Sequence, residues 1–145
     1  MIRPINSDDK DFFIDSCKEF YSSPAVMHTV PEKNFEKTFS LLMQENPYAR
    51  CYIYETEGKK VAYFLISITY SNECGGIVVW LEEMFVHPRY RSRGIGSELF
   101  RYVENEYKNV ACRFRLEATR ENERAVALYK KLGYDVFDYL QMVKE

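Results

Sequence analysis

Leu81-Glu82-Glu83-Met84-Phe85-Val86-His87-Pro88-Arg89-Tyr90-Arg91-Ser92-Arg93-Gly94-Ile95-Gly96-Ser97-Glu98-Leu99 is the segment from which the rest of the chain can be placed. The apolar run from Ile77 to Val86 predicts a strand, and Pro88 stops it. A basic turn with two glycines follows. It opens a helix near Gly94 or Gly96, where Ile95, Leu99, Tyr102 and Val103 recur at helical spacing. Free N–H groups at a helix N-terminus carry the positive end of the dipole. Glycine admits close approach of a ligand and backbone angles that other residues resist. Arg91 and Arg93 add forked donors suited to phosphate. The segment therefore predicts a cradle for a phosphate or pyrophosphate.

Two familiar phosphate-binding patterns are excluded. The dinucleotide fingerprint G-x-G-x-x-G fails because Leu99 stands at its third glycine, and no Gly-Lys-Ser/Thr follows for a nucleoside-triphosphate loop. What stands here is Arg-x-x-Gly-x-Gly, Arg91 to Gly96.

Before this segment the chain reads as a short edge strand at Met1 to Ile5, then a helix that Ser7 can cap, with Phe13, Cys17 and Phe20 on one face. A second helix begins at Pro31 and buries Phe35, Phe39 and Leu42. Strands from Ala49 to Glu55 and from Val61 to Tyr70 flank a hairpin turn at Thr56-Glu57-Gly58-Lys59. After it, Cys112, Phe114, Leu116 and Ala118 alternate with Arg113, Arg115 and Glu117, which predicts a half-buried strand. Asn122 caps a last helix that Gly133 closes, and Tyr134 to Lys144 supplies one or two final strands. The order is β-α-α-β-β-β-α-β-α-β(-β), an α/β chain with a mixed sheet. The β-α-β unit demands a parallel pair with a right-handed crossover.

The chain has 145 residues, enough for one domain with a real core, and residues 1–145 are read as a single domain. Hydrophobic residues make up 46% and aromatics 16%, which excludes a disordered chain. A net charge of -2 gives no support to nucleic-acid binding. No apolar run reaches membrane-spanning length and Met1-Ile2-Arg3-Pro4 lacks a signal-peptide core, so neither a membrane partner nor export is expected. Cys17, Cys51, Cys74 and Cys112 show no C-x-x-C spacing. With only His28 and His87 beside them no metal is expected, and the cysteines read as reduced thiols of a cytoplasmic protein.

Arg91 to Gly96, placed between strand and helix, resembles motif A of the GCN5-related N-acetyltransferases (GNAT). Leu116 to Tyr134 resembles motif B of the same family: strand, then Asn122, Ala125, Tyr129, Lys130, Gly133 and Tyr134. The likeness is sharp from about Leu81 to Tyr134 and follows the element order throughout. It implies an N-acetyltransferase that moves an acetyl group from acetyl-coenzyme A to a primary amine of a small molecule or peptide. By the family's pattern, Phe85 and Val86 offer backbone groups to the pantetheine arm and the acetyl carbonyl. Arg91, Arg93, Gly94, Ile95, Gly96 and Ser97 hold the pyrophosphate. Asn122 contacts the coenzyme, and Tyr129 sits near the sulfur. A homodimer is expected from the resemblance alone.

The implied chemistry needs a base. An alkyl amine of pKa about 10.4 is neutral in roughly one molecule of 2,500 at pH 7, a cost of about 4.6 kcal/mol. Glu82 and Glu83 are the candidates. On a regular strand they face opposite ways, so one at most points into the cleft unless a bulge intervenes. Glu82 matches the position used by the polyamine-acetylating branch, and Glu83 an acid common in bacterial members. The histone-acetylating branch has its glutamate where this chain has Trp80. Tyr129 is the general acid by resemblance. However, a thiol of pKa about 8.5 is a stronger acid than a phenol of about 10, which also leaves Tyr129 the role of hydrogen-bond donor to the thiolate. The acceptor pocket is implied at Tyr21 to Glu32, where Glu32 and Glu36 either attract a cationic amine or form a solvated helix face. The competing reading is a non-catalytic module that binds or senses acyl-coenzyme A.

Overall fold

The computed structural model describes residues 1–24 and 26–145. Five strands form one sheet in the order β1-β2-β3-β4-β5: Ile2–Pro4, Ala49–Thr56, Lys59–Ser71, Gly76–Val86 and Ala111–Leu116. Helices α1 (Lys10–Tyr21) and α2 (Glu32–Leu42) precede β2, α3 (Ile95–Tyr107) joins β4 to β5, and α4 (Glu123–Lys131) follows β5. Neighbouring strands are antiparallel except β4 and β5, the parallel pair that the β-α-β unit requires. The mixed α/β architecture read from the sequence is the architecture found.

The sheet divides two apolar layers. On one face Phe64, Ile66, Val79 and Leu81 pack under Leu99, Phe100 and Val103 of α3, with Tyr129 of α4 and Leu132 just after it at the margin. On the other, Cys51, Ile53, Tyr63 and Phe85 pack against Phe13 and Cys17 of α1 and Phe35 and Phe39 of α2. The helical spacings in the sequence thus mark the buried stripes. The β2–β3 hairpin closes through Glu57 and Gly58 with φ of 53° and 70°, the two left-handed residues that a tight primed turn needs.

Three expectations are corrected. The cap of the first helical segment is Asn6, whose side chain accepts the Asp8 N–H at 2.9 Å, and not Ser7, which lies inside a 3-10 turn at Ser7–Asp9. Asp9 in that turn is fully buried and bonded by Arg3 at 2.7 and 2.9 Å and by Lys60 at 2.7 Å. Cys74 and Cys112 are not free thiols. The pairing of Ile77 with Ala111 lays the β3–β4 turn beside β5, brings the two Cα atoms to 6.1 Å and joins the sulfurs in a disulfide, while Cys17 and Cys51 are buried thiols. Finally, residues 134–145 form no strand. One ring of this tail stacks on arginines of β5 instead, Phe137 with Arg113 and Arg115 at 4.7 and 4.8 Å, and Val136, Leu140, Met142 and Val143 stay exposed.

Candidate active site

β4 and β5 part company. Their last register pair is Leu81 with Leu116, where β5 ends, while β4 continues beside β3 to Val86. The gap opens into a cavity of about 750 Å³. Phe85 and Val86 line its β4 wall, Leu116 to Thr119 and Asn122 the opposite wall, and Gly94 to Ser97 its rim.

The rim is built by backbone. Gly94 caps α3 with a left-handed φ of 84°, and the first intrahelical bond runs from the Glu98 N–H to the Gly94 carbonyl at 3.0 Å. The amides of Ile95, Gly96 and Ser97 precede that bond and no side chain caps them, so they face the cavity as an anion-binding set. At Gly96 a Cβ would meet the Met84 Cε at 3.0 Å, so α3 packs closely on β4 here and a larger residue would push the methionine end aside. Arg91 lines the cavity, and its Nε donates to the Val86 carbonyl at 2.8 Å, pinning the loop to the end of β4. Arg93 is not among the lining residues; its guanidinium lies 5.0 Å over the Tyr90 ring.

Across the gap, Asn122 spends its side-chain oxygen on capping α4 by accepting the Ala125 N–H at 3.3 Å. Tyr129, two turns further on, lines the cavity beside Phe100, and burial pushes its phenol above the ordinary value.

The acidic wall turns on one irregularity of β4. Leu65 pairs with Glu83 but Ile66 pairs with Leu81, so Glu82 is an extra residue in a bulge. Leu81 before it and Met84 after it both pack toward α3, and the two glutamates therefore share the opposite face. Glu82 is exposed to the cavity and accepts the Ser67 hydroxyl. Glu83 is buried and accepts hydroxyl bonds from Tyr21 and, at 3.1 Å, Tyr63. Burial raises its pKa and the charge of Glu82 adds to that, while the two tyrosine hydroxyls pull the other way without cancelling it. Glu32 and Glu36 take no part: they pair with Lys18 and Lys10 of α1, each at 3.0 Å, and are absent from the cavity lining, as a solvated helix face would be. Within the segment expected to build the acceptor pocket, Ala25 lies outside the described residues.

The pattern of the Acetyltransferase (GNAT) family matches residues 12–134. The chain belongs to that family. This GNAT chain is 37% identical over 98 residues to a thialysine N-epsilon-acetyltransferase of Mus musculus, a stretch covering 61% of this chain and 57% of the mouse protein. It is 29% identical over 149 residues to an uncharacterized N-acetyltransferase of Methanocaldococcus jannaschii, covering 99% of this chain and 66% of that protein. The chain thus spans less than two thirds of the length of either relative. Among solved structures, a possible acetyltransferase from Clostridium difficile 630 superposes with a TM-score of 0.87 at 24% identity, covering 100% of this chain and 96% of that one. An aminoglycoside N-acetyltransferase in complex with CoA superposes at 0.81 and 21% identity, covering 100% and 93%. These two likenesses are likenesses of fold.

The GNAT cavity also holds residues that the sequence reading leaves out. Arg124 lines it and donates to the Ser92 hydroxyl at 2.6 Å, putting a cation of α4 beside the glycine turn. The Thr119 hydroxyl is buried in the opposite wall with no partner among the described residues. Tyr21 and Tyr63 hold Glu83 from 62 and 20 positions away. Of these residues, only Arg124 carries a local signal in the sequence, its position in the first turn of the helix that meets the glycine turn.

Proposed function

We propose that residues 1–145 act as one N-acetyltransferase domain that transfers the acetyl group of acetyl-coenzyme A to a primary amine of a small molecule or peptide. The observation that carries this is the meeting, in one cavity, of a bare helix N-terminus with a pair of carboxylates turned to one face by the Glu82 bulge. The first suits a pyrophosphate and the second an incoming amine.

In this reading the amides of Ile95, Gly96 and Ser97, with Arg91 and Arg124, receive the pyrophosphate. Arg93 adds charge from outside the lining. Phe85 and Val86 offer backbone groups to the pantetheine arm. Glu82, open to the cavity, takes the proton that the ammonium must lose before attack. Glu83, with both oxygens engaged by tyrosines, holds the acidic wall in place and keeps a second carboxylate charge near the amine. The amine nitrogen then bonds to the acetyl carbon as the carbon–sulfur bond breaks. The sulfur leaves as a thiolate, toward which Tyr129 directs its hydroxyl, and the thiolate takes up the second proton that the nitrogen loses as the amide forms. Because burial raises the phenol pKa, Tyr129 donates a hydrogen bond and keeps its proton.

The test is thiol release from acetyl-coenzyme A in the presence of a panel of primary amines. Wild-type protein turns over with at least one of them. Glu82→Gln lowers kcat about 100-fold or more and leaves coenzyme affinity unchanged. Full activity in E82Q overturns the assignment of the base, and coenzyme binding without turnover on any amine favours a sensing module.

A further inference from the structure

A second cavity of about 500 Å³ lies on the same face of the sheet, toward the start of β4 and β5. Trp80 of β4 is the register partner of Arg115 of β5, and the Arg115 guanidinium lies 4.2 Å over its indole. Phe137 covers the same guanidinium at 4.8 Å. Two aromatic faces thus hold the plane of the guanidinium and leave its N–H edge as the donor surface. The acid that lines this cavity is already engaged. Glu73 receives Arg113 on one oxygen at 2.8 Å and the Tyr139 hydroxyl on the other at 2.6 Å. Among the described residues, Arg115 itself has no hydrogen bond or ion pair. It is a fixed, half-buried cation whose forked donors are open.

Its place beside the acidic wall gives this meaning. Trp80 stands two residues before Glu82 on β4, ~7 Å along the strand. Ser67 ties the two together, since it pairs with Trp80 across the ladder and donates its hydroxyl to Glu82. The face therefore offers carboxylates at one point and an open guanidinium one short step away, the charge complement of a zwitterion. We propose that Arg115 binds the carboxylate of the acceptor, and that the acceptor is an amino acid of about the size of lysine whose distal amine reaches Glu82. The inference rests on the acetyltransferase reading for the amine end, while the carboxylate subsite can be tested separately.

Trp80 is the sole tryptophan of the chain, so its fluorescence reports on this site without turnover. The full chain is titrated with L-lysine and with L-lysinamide, which differ only at the carboxyl group, and both are then compared as acceptors. Arg115→Gln and Arg115→Lys are carried alongside, each checked for an unchanged melting temperature. Lysine saturates the Trp80 signal with at least tenfold tighter binding than lysinamide, as expected for one charge-assisted contact. The R115Q variant abolishes the preference and R115K keeps part of it. In turnover, R115Q raises KM for lysine about tenfold and leaves kcat within twofold. Equal response to the two probes, including no response to either, overturns the subsite, and so does a preference that survives in R115Q. A lysine-specific signal without acetyl transfer supports the subsite and sinks the acetyltransferase reading. Equal transfer to both amines overturns the subsite and leaves that reading standing.

Discussion

Asp9 and Glu83 are both buried carboxylates, yet their surroundings are opposite. Asp9 lies at the sheet edge among cations: Arg3 grips it with two bonds, Lys60 with a third, and the Asn6 N–H adds a fourth. Glu83 lies at the cavity with, among the described residues, only two tyrosine hydroxyls as donors and with the charge of Glu82 beside it. Burial alone would raise both pKa values. At Asp9 the Arg3 and Lys60 bonds outweigh burial and hold the carboxyl well below the ordinary range; at Glu83 burial prevails. One carboxylate ties β1, β3 and the start of α1 together. The other is kept at a cost to stability, in the place where an amine is proposed to enter.

The largest effect falls on the structural member of the pair. Asp9→Ala leaves two cations without their shared partner and costs about 3 kcal/mol. A melt should read that as a drop of roughly 6–12 °C. Coenzyme affinity of the folded protein stays as in wild type, and a small loss of stability in D9A would erase the contrast.

Next in size is the backbone cradle. Gly94→Val forces a β-branched residue into a left-handed φ of 84°, at about 1–2 kcal/mol. Calorimetric titration should show acetyl-coenzyme A affinity reduced about tenfold, because the cap that aims the α3 amides is disturbed. Unchanged affinity would mean that the cavity rim does not hold the pyrophosphate.

The smallest effect separates the two carboxylates by sign. The folded pKa of Asp9 is lowered, so its contribution is present above its ordinary 3.8 and is lost as pH falls below it. The folded pKa of Glu83 is raised, so stability is fully present below its ordinary 4.5 and declines as pH rises through the raised value. Glu83→Gln should therefore be more stable than wild type at neutral pH and lose that advantage below pH 4.5. Denaturant midpoints against pH will show this, and an E83Q variant that is less stable at pH 7 contradicts it.

The same contrast explains what could be read in the sequence. The cradle occupies consecutive residues, Val86 to Ser97, so its strand, stop, basic turn and helix start are all local signals. The caps at Gly94 and Asn122 and the parallel crossover follow from the same kind of pattern. The acidic wall is assembled from α1, β3 and β4, and no local rule links Tyr21 to Glu83. The bulge that turns Glu82 and Glu83 to one face is a property of pairing with β3 and leaves no mark in the residues themselves. The disulfide and the tail after Gly133 were hidden for the same reason. Cys74 meets Cys112 only because of strand register, and where final strands are expected the Phe137 ring stacks on Arg113 and Arg115.

The most direct measurement is a thermal melt of the wild-type chain with and without acetyl-coenzyme A, with ATP as control. At about 100 times the dissociation constant the ligand adds roughly 2.7 kcal/mol, a rise of roughly 5–11 °C. The account predicts that rise for acetyl-coenzyme A and none of similar size for ATP. No rise, or an equal rise with ATP, would contradict the claim that the turn from Arg91 to Gly96 is a coenzyme cradle.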